Sequence, residues 1–159
     1  MSQAENDRKF MQLALDCCRS GIDHGQSPFG SAIVREGKLL SVSHNHVRLE
    51  CDATAHAEVH AIRRACGAAR DIHLVGSTIY ATTEPCPMCF TAIHWARIDR
   101  IVYGASIEDA ARFGFNELPV SNENLKEIGK TDVKIVPHFM RDEAIALFEY
   151  WQKAGGQAY

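Results

Sequence analysis

The sequence lacks a membrane span, a secretory leader and any excess of basic charge. No apolar run approaches the ~20 residues that cross a bilayer as a helix. The opening residues, Met-Ser-Gln-Ala-Glu-Asn-Asp-Arg-Lys, carry no apolar core of the kind a signal peptide needs, so the expected location is the cytoplasm. Seventeen Lys and Arg stand against twenty Asp and Glu, giving a net charge of −3. That balance argues against a nucleic-acid partner, whose phosphates would demand a basic surface. There is no internal repeat and no low-complexity tract, and only five prolines in 159 residues. With 46% hydrophobic and 23% charged residues the chain has the material for one packed core, and its length fits a single domain over 1–159.

Six cysteines are present, at 17, 18, 51, 66, 86 and 89. A disulfide framework needs an oxidising compartment, for which nothing in the sequence speaks. Cys17 and Cys18 are neighbours inside a helical pattern, and Cys66 lies on the apolar side of another, where a free cysteine serves as a small hydrophobe. Cys86 and Cys89 require a different reading.

Hydrophobic periodicity divides the chain as follows. Residues 5–23 read as a helix through Phe10, Ala14, Cys17 and Cys18, ended by Gly21 and Gly25. Two extended runs, Phe29 to Val34 and Leu39 to Val47, flank a turn at Glu36-Gly37-Lys38 and predict a hairpin. A helix follows Thr54, with Val59, Ile62, Ala65 and Cys66 at its spacing. Ser77 to Thr83 reads as a strand. Pro85-Cys86-Pro87 opens a helix that runs to about Arg97, because proline is at home in a first turn. Arg100 to Gly104 and Asp132 to Val136 are short strands, and 141–153 is a last helix. Residues 112–131, with Gly114, Pro119 and Gly129, are expected to form a loop region carrying a short helix. A hairpin followed by alternating strands and helices predicts an α/β fold, a mixed sheet with helices on both faces.

Two segments carry the chemistry, Thr54-Ala55-His56-Ala57-Glu58 and Glu84-Pro85-Cys86-Pro87-Met88-Cys89. Two cysteines three apart at a helix start aim both sulfurs at one point, where backbone N–H groups and the helix dipole favour thiolates. That is half of a tetrahedral zinc site; a redox pair has the same spacing. His56 would be the third ligand, leaving a fourth position for water, which zinc activates near neutral pH. Glu58, two residues on, would handle the proton without competing for the metal. His-x-Glu followed by Pro-Cys-x-x-Cys resembles the signature of the zinc deaminases. Among the other histidines, His60 stands four residues after His56 as a second ligand would, but the Cys-Cys-His set is complete without it, so it reads as structural or exposed. His44 and His46 flank Asn45 at the end of a strand directed at the site. His24, His73 and His138 are expected in solvent, and His94 lies beside Trp95.

On these motifs the chain resembles the cytidine deaminase-like superfamily, and within it the bacterial guanine deaminases. The likeness runs through Pro28-Phe29-Gly30, Asn45, the two zinc segments, Ala92-Ile93-His94-Trp95-Ala96-Arg97, Gly114-Phe115-Asn116-Glu117 and the terminal Tyr159. It implies a three-layer α-β-α sandwich around a mixed five-stranded sheet, a zinc cofactor, a small purine substrate and a homodimer. In relatives the C-terminal segment, about 119–159 here, is exchanged between subunits. The resemblance also implies that Asn45 bonds the purine, that Phe29 and Trp95 wall the pocket, and that Ala57 lies against the substrate. Glu117 would accept from the guanine N1–H and amino edge and assist proton transfer, and Tyr159 would close the pocket. Two positions depart from the family pattern: Asn116 where aspartate is usual, and Ala53 where proline is common. The alternatives are a guanosine, cytosine or other small-amidine deaminase and a tRNA adenosine deaminase, which the segment from Arg97 to Ala105 resembles. A zinc-binding scaffold without activity would leave Glu58 idle, and a thiol redox protein would leave both His56 and Glu58 idle.

Overall fold

The computed structural model describes all residues from Met1 to Tyr159. Helix α1 (Gln3–Asp23) begins with a reciprocal capping box: the Ser2 hydroxyl accepts from the Glu5 N–H, and the Glu5 carboxylate accepts from the Ser2 N–H. Strands β1 (Gly30–Arg35) and β2 (Lys38–His44) form the hairpin. Their two connecting residues, Glu36 and Gly37, both take positive φ, 51° and 71°. Positive φ at both positions is the type I′ pattern, a two-residue turn whose twist matches that of the strands it joins.

Helix α3 (Ala57–Ala69), strand β3 (Ser77–Thr83), helix α4 (Pro87–Trp95) and strand β4 (Arg100–Ala105) follow. The chain ends with helix α6 (Asn122–Gly129), strand β5 (Lys134–Val136) and helix α7 (Arg141–Lys153). Two short helices lie outside the sequence expectation: α2 (Val47–Glu50) and α5 (Ile107–Arg112). The second strand therefore stops at His44, and Val47 belongs to a helix. Four and six residues are too few for periodicity to declare itself.

The sheet order is β2-β1-β3-β4-β5. β1 runs antiparallel to both neighbours, and β3, β4 and β5 are parallel, so the sheet is mixed and five-stranded as expected. Successive strand residues alternate between two apolar clusters. Ala32, Val34, Tyr80 and Val102 face α1 and α7, with Met11, Leu15 and Phe148. Ile33, Ile79, Ala81, Ile101 and Tyr103 face α3 and α4, with Ala61, Ala65, Phe90 and Ile93. The period of two along each strand thus produces the three layers. α1 sits close on β1 because residue 30 is glycine: a Cβ there would stand 2.3 Å from the Ala14 carbonyl oxygen and 2.8 Å from Cys18 Cβ.

Two ion pairs on buried carboxylates tie sequence-distant elements together. Arg100 at the start of β4 donates twice to Asp7 on α1, at 2.7 Å each, and Tyr80 donates a third bond at 2.8 Å. Arg141 of α7 donates twice to Asp109 of α5, at 2.9 and 2.7 Å. The C-terminal segment packs on its own chain, with α7 against α1 and β4 and the last residues reaching the mouth of the site.

Candidate active site

The site forms where α3 and α4 begin. His56 is the N-cap of α3 and Cys86 the N-cap of α4, both in extended backbone conformation; Cys89 is in the first turn of α4. Pro87 occupies the first turn, where its missing N–H costs nothing. The two N-termini converge: His56 Nδ1 lies 3.6 Å from Cys86 Sγ and 3.5 Å from Cys89 Sγ. A tetrahedral zinc ion with ordinary bond lengths would hold nitrogen and sulfur about 3.6 Å apart. The three donors therefore already stand at the spacing of a zinc site, and their chemistry, two sulfurs and an imidazole, is zinc's.

The electrostatics agree. Cys86 is driven down to about 4, first by a hydrogen bond from the Cys89 thiol and then, against its burial, by His56. Cys89 is pushed up because it makes that bond and is buried. For His56, burial opposes the charged form, but the bond to Cys86 and the Glu58 charge outweigh it and raise the imidazole. The environment of Cys86 thus favours the thiolate that a metal binds, and a metal would displace the proton left on Cys89.

Glu58, on the first turn of α3, is buried with Oε2 3.5 Å from Cys89 Sγ, and burial raises its carboxyl. It faces the same point as the three donors. A cleft of 660 Å³ opens over them, walled on its apolar sides by Phe29, Phe115, Met88 and Leu118. Asn45 lies at its floor, almost fully buried; its Oδ1 accepts from the Val47 N–H at 3.0 Å and its Nδ2 donates to the Tyr159 hydroxyl at 2.9 Å. Tyr159 also packs edge-on against Phe115, at 5.4 Å between ring centres. The terminal backbone is held by the Asn116 N–H at 3.0 Å, and Arg48 donates to the Gln157 carbonyl at 2.7 Å. Glu117 enters the cleft from the loop after Gly114. Burial, with the nearby negative charge of Cys86 and Glu58, lifts it to about 7.

Eight of the predicted residues thus share one cleft: Phe29, Asn45, His56, Glu58, Cys86, Glu117 and Tyr159 line it, and Cys89 lies buried beneath. Two do not. Trp95 is 74% exposed at the far end of α4. A helix rises 1.5 Å per residue, which carries position 95 roughly 13 Å along the axis from Cys86, so it is no pocket wall within this chain. Ala57 is fully buried at the start of α3 and does not line the cleft. Sequence reasoning missed Arg48 and Cys51, brought to the rim by the four-residue α2.

It also missed Glu84. This carboxylate is buried and accepts from two helix N-termini, Ile107 N–H of α5 at 3.1 Å and Asn122 N–H of α6 at 2.9 Å. Asn122 in turn donates from Nδ2 to the Pro85 carbonyl at 2.6 Å. The backbone that carries Cys86 is therefore held from both sides. The only signal in the sequence was an acidic residue immediately before the Pro-Cys segment.

The family described as the cytidine and deoxycytidylate deaminase zinc-binding region matches residues 4–105, a stretch that contains His56, Glu58, Cys86 and Cys89. Guanine deaminase of Bacillus subtilis is 35% identical over 151 residues, covering 92% of this chain and 94% of that protein. A tRNA-specific adenosine deaminase of Agrobacterium fabrum is 42% identical over 110 residues, 65% of this chain and 72% of that protein. A solved structure of a protein in complex with 2,6-diaminopurine superposes with a TM-score of 0.88 at 25% identity, covering 96% of this chain and 85% of that one. The convergent donor trio, the buried Glu58 and these likenesses lead to one conclusion: the chain belongs to the cytidine and deoxycytidylate deaminase family and is a zinc-dependent aminohydrolase.

Proposed function

We propose that the chain converts guanine and water to xanthine and ammonia. The observation that carries this reading is Glu117, a carboxylate that lines the same cleft as Asn45 and lies near His56, Glu58 and Cys86. Guanine presents two adjacent donors, N1–H and the exocyclic amine, and a carboxylate can accept both. Adenine and cytosine lack that pair and would leave the half-buried carboxylate unmatched.

His56, Cys86 and Cys89 would hold the zinc. Bound there, the ion would supply an activated water at neutral pH. Phe29 and Phe115, which meet edge to face at 4.9 Å between ring centres, would form one apolar wall against the flat base, and Asn45 would bond its edge. Glu58 would take a proton from the attacking water and deliver it to the ring nitrogen beside the amine-bearing carbon, then to the leaving amine. Its burial supports this role, since desolvation raises the carboxyl and makes it a better proton acceptor. Tyr159 would close the cleft over the base and exclude bulk water. In this structure that tyrosine comes from the same chain; exchange of 119–159 between the subunits of a homodimer would bring in the equivalent residue from a partner copy.

A tRNA adenosine is the competing substrate, favoured by the Agrobacterium relative. The net charge of −3 and a cleft capped by the C-terminus argue for a free base. Parallel kinetics on guanine, guanosine, cytosine, adenine and an anticodon stem-loop test the reading. Guanine should be turned over best, and Glu117→Gln should lose most of that rate, since unpaired groups in a buried site reject a ligand by roughly 10⁴ or more. Faster turnover of the stem-loop or cytosine would overturn the guanine assignment and leave the aminohydrolase chemistry intact.

A further inference from the structure

A second group of metal-ligating side chains lies outside the cleft. His46, Glu50 and His60 bring their ligand atoms within 4.8 Å of one another. His60 is on α3, one turn beyond His56, yet the two do not share a ligand point. His56 is an N-cap with extended backbone, whereas His60 is helical, and its ring turns to α2 instead. There its Nε2 lies 3.2 Å from Glu50 Oε2, and its ring stacks on that of His46 at 4.2 Å between centres. His46 Nδ1 sits 2.7 Å from the His44 carbonyl. An Nδ1–H donated to that carbonyl leaves Nε2 with a free lone pair, which is how a backbone carbonyl orients an imidazole for a metal. The Glu50 carboxylate has no side-chain partner other than His60.

We propose that His46, Glu50 and His60 form a second divalent-cation site, with two imidazoles and a carboxylate, suited to zinc or a neighbouring first-row ion. Such a donor set matches imidazole-binding metals and carries no thiolate. Ligands in a tetrahedral nitrogen–oxygen site stand about 3.3 Å apart, so closing on an ion requires the trio to contract. The Glu50 side chain, 38% exposed, can turn freely, whereas that of His60, 13% exposed, must tilt out of its stack on His46 so that both ring planes meet at the ion. An ion there would pin α2 to α3. Helix α2 carries Arg48, which holds the Gln157 carbonyl and lies under the Tyr159 ring, so the site would brace the segment that closes the cleft. Without an ion, the same residues would form only a histidine stack with a hydrogen bond to Glu50.

The test is a titration of metal-stripped protein with cobalt(II) alone. The first equivalent should bring thiolate-to-cobalt charge transfer from Cys86 and Cys89. A second, weaker equivalent should add ligand-field absorption without further charge transfer, and its uptake should raise the melting temperature. Glu50→Gln and His60→Gln should each abolish the second equivalent and its thermal shift while leaving the charge-transfer band unchanged. The Glu50 side chain is 38% exposed, so the fold should survive Glu50→Gln; circular dichroism of the metal-stripped protein checks the fold of His60→Gln, whose side chain is largely covered. Binding of a single equivalent even at large excess would overturn the proposal, as would a second equivalent that persists in both variants. A missing charge-transfer band would instead count against the site at His56, Cys86 and Cys89, so the two readings fail separately.

Discussion

Replacing Glu84 with glutamine tests whether the metal centre is held from behind. The carboxylate accepts from the first N–H of α5 and the first N–H of α6, at 3.1 and 2.9 Å, in a buried position. Glutamine keeps the shape but has one acceptor oxygen and an NH₂ that cannot face a second donor. One helix N-terminus would lose its charged partner and be left unsatisfied. A hydrogen bond to a charged group contributes about 1.5–3 kcal/mol, and an orphaned buried donor costs about 1–3 kcal/mol. The two figures describe one broken bond, so the expected loss is about 2–3 kcal/mol. For a chain of 159 residues that is a fall in Tm of roughly 5–10 °C, at about 2–4 °C per kcal/mol. The same slackening reaches Asn122 and the Pro85 carbonyl, hence Cys86, so zinc release to a competing chelator should quicken about tenfold, the lower end for residues that support metal ligands. Thermal unfolding of the zinc-loaded protein and a chelator time course measure both. A variant that melts within a degree of the wild type and releases zinc at the same rate would refute this account of Glu84.

Glu58→Gln should retain stoichiometric zinc and the wild-type fold while losing at least 10²–10⁴ in kcat, the range for a removed acid–base group; a rate within about tenfold of wild type would show that the proton travels by another route. Deleting Tyr159 removes its bond to Asn45 and its contact with Phe115. KM should rise and kcat should fall, with Tm nearly unchanged because the residue is 42% exposed, and an unaltered KM would count against its role as a lid. Asp109 is held down to about 2: burial opposes its charge, but Arg141 and the Ser106 cap outweigh it. Its folded value lies below its unfolded value of about 3.9, so the stabilisation is complete above pH 4 and disappears as pH falls towards 2. Asp109→Asn should cost up to about 2 kcal/mol at neutral pH, and denaturant melts should show that gap closing over that acidic window.

The sequence by itself determined the chemistry and most of the layout. His56, Glu58, Cys86 and Cys89 were legible because a metal site built on two helix starts needs fixed short spacings, and those spacings survive in the linear order. The long elements were legible too: α1, β3 and α7 lie almost where periodicity puts them, since one apolar face repeated over several turns or a full strand leaves a clear pattern. Tertiary structure alone decided the rest. The helices α2 and α5 are shorter than any period can reveal, yet α2 brings Arg48 to the cleft and α5 gives an N–H to Glu84. Trp95 shows the opposite failure, a residue placed in the pocket by likeness and carried out of it by the rise of its own helix. The contacts of Glu84 with Asn122, and of Asn45 with Tyr159, span 38 and 114 residues. The meeting of such partners is set by how the layers pack around the sheet, and no local pattern in the chain records it.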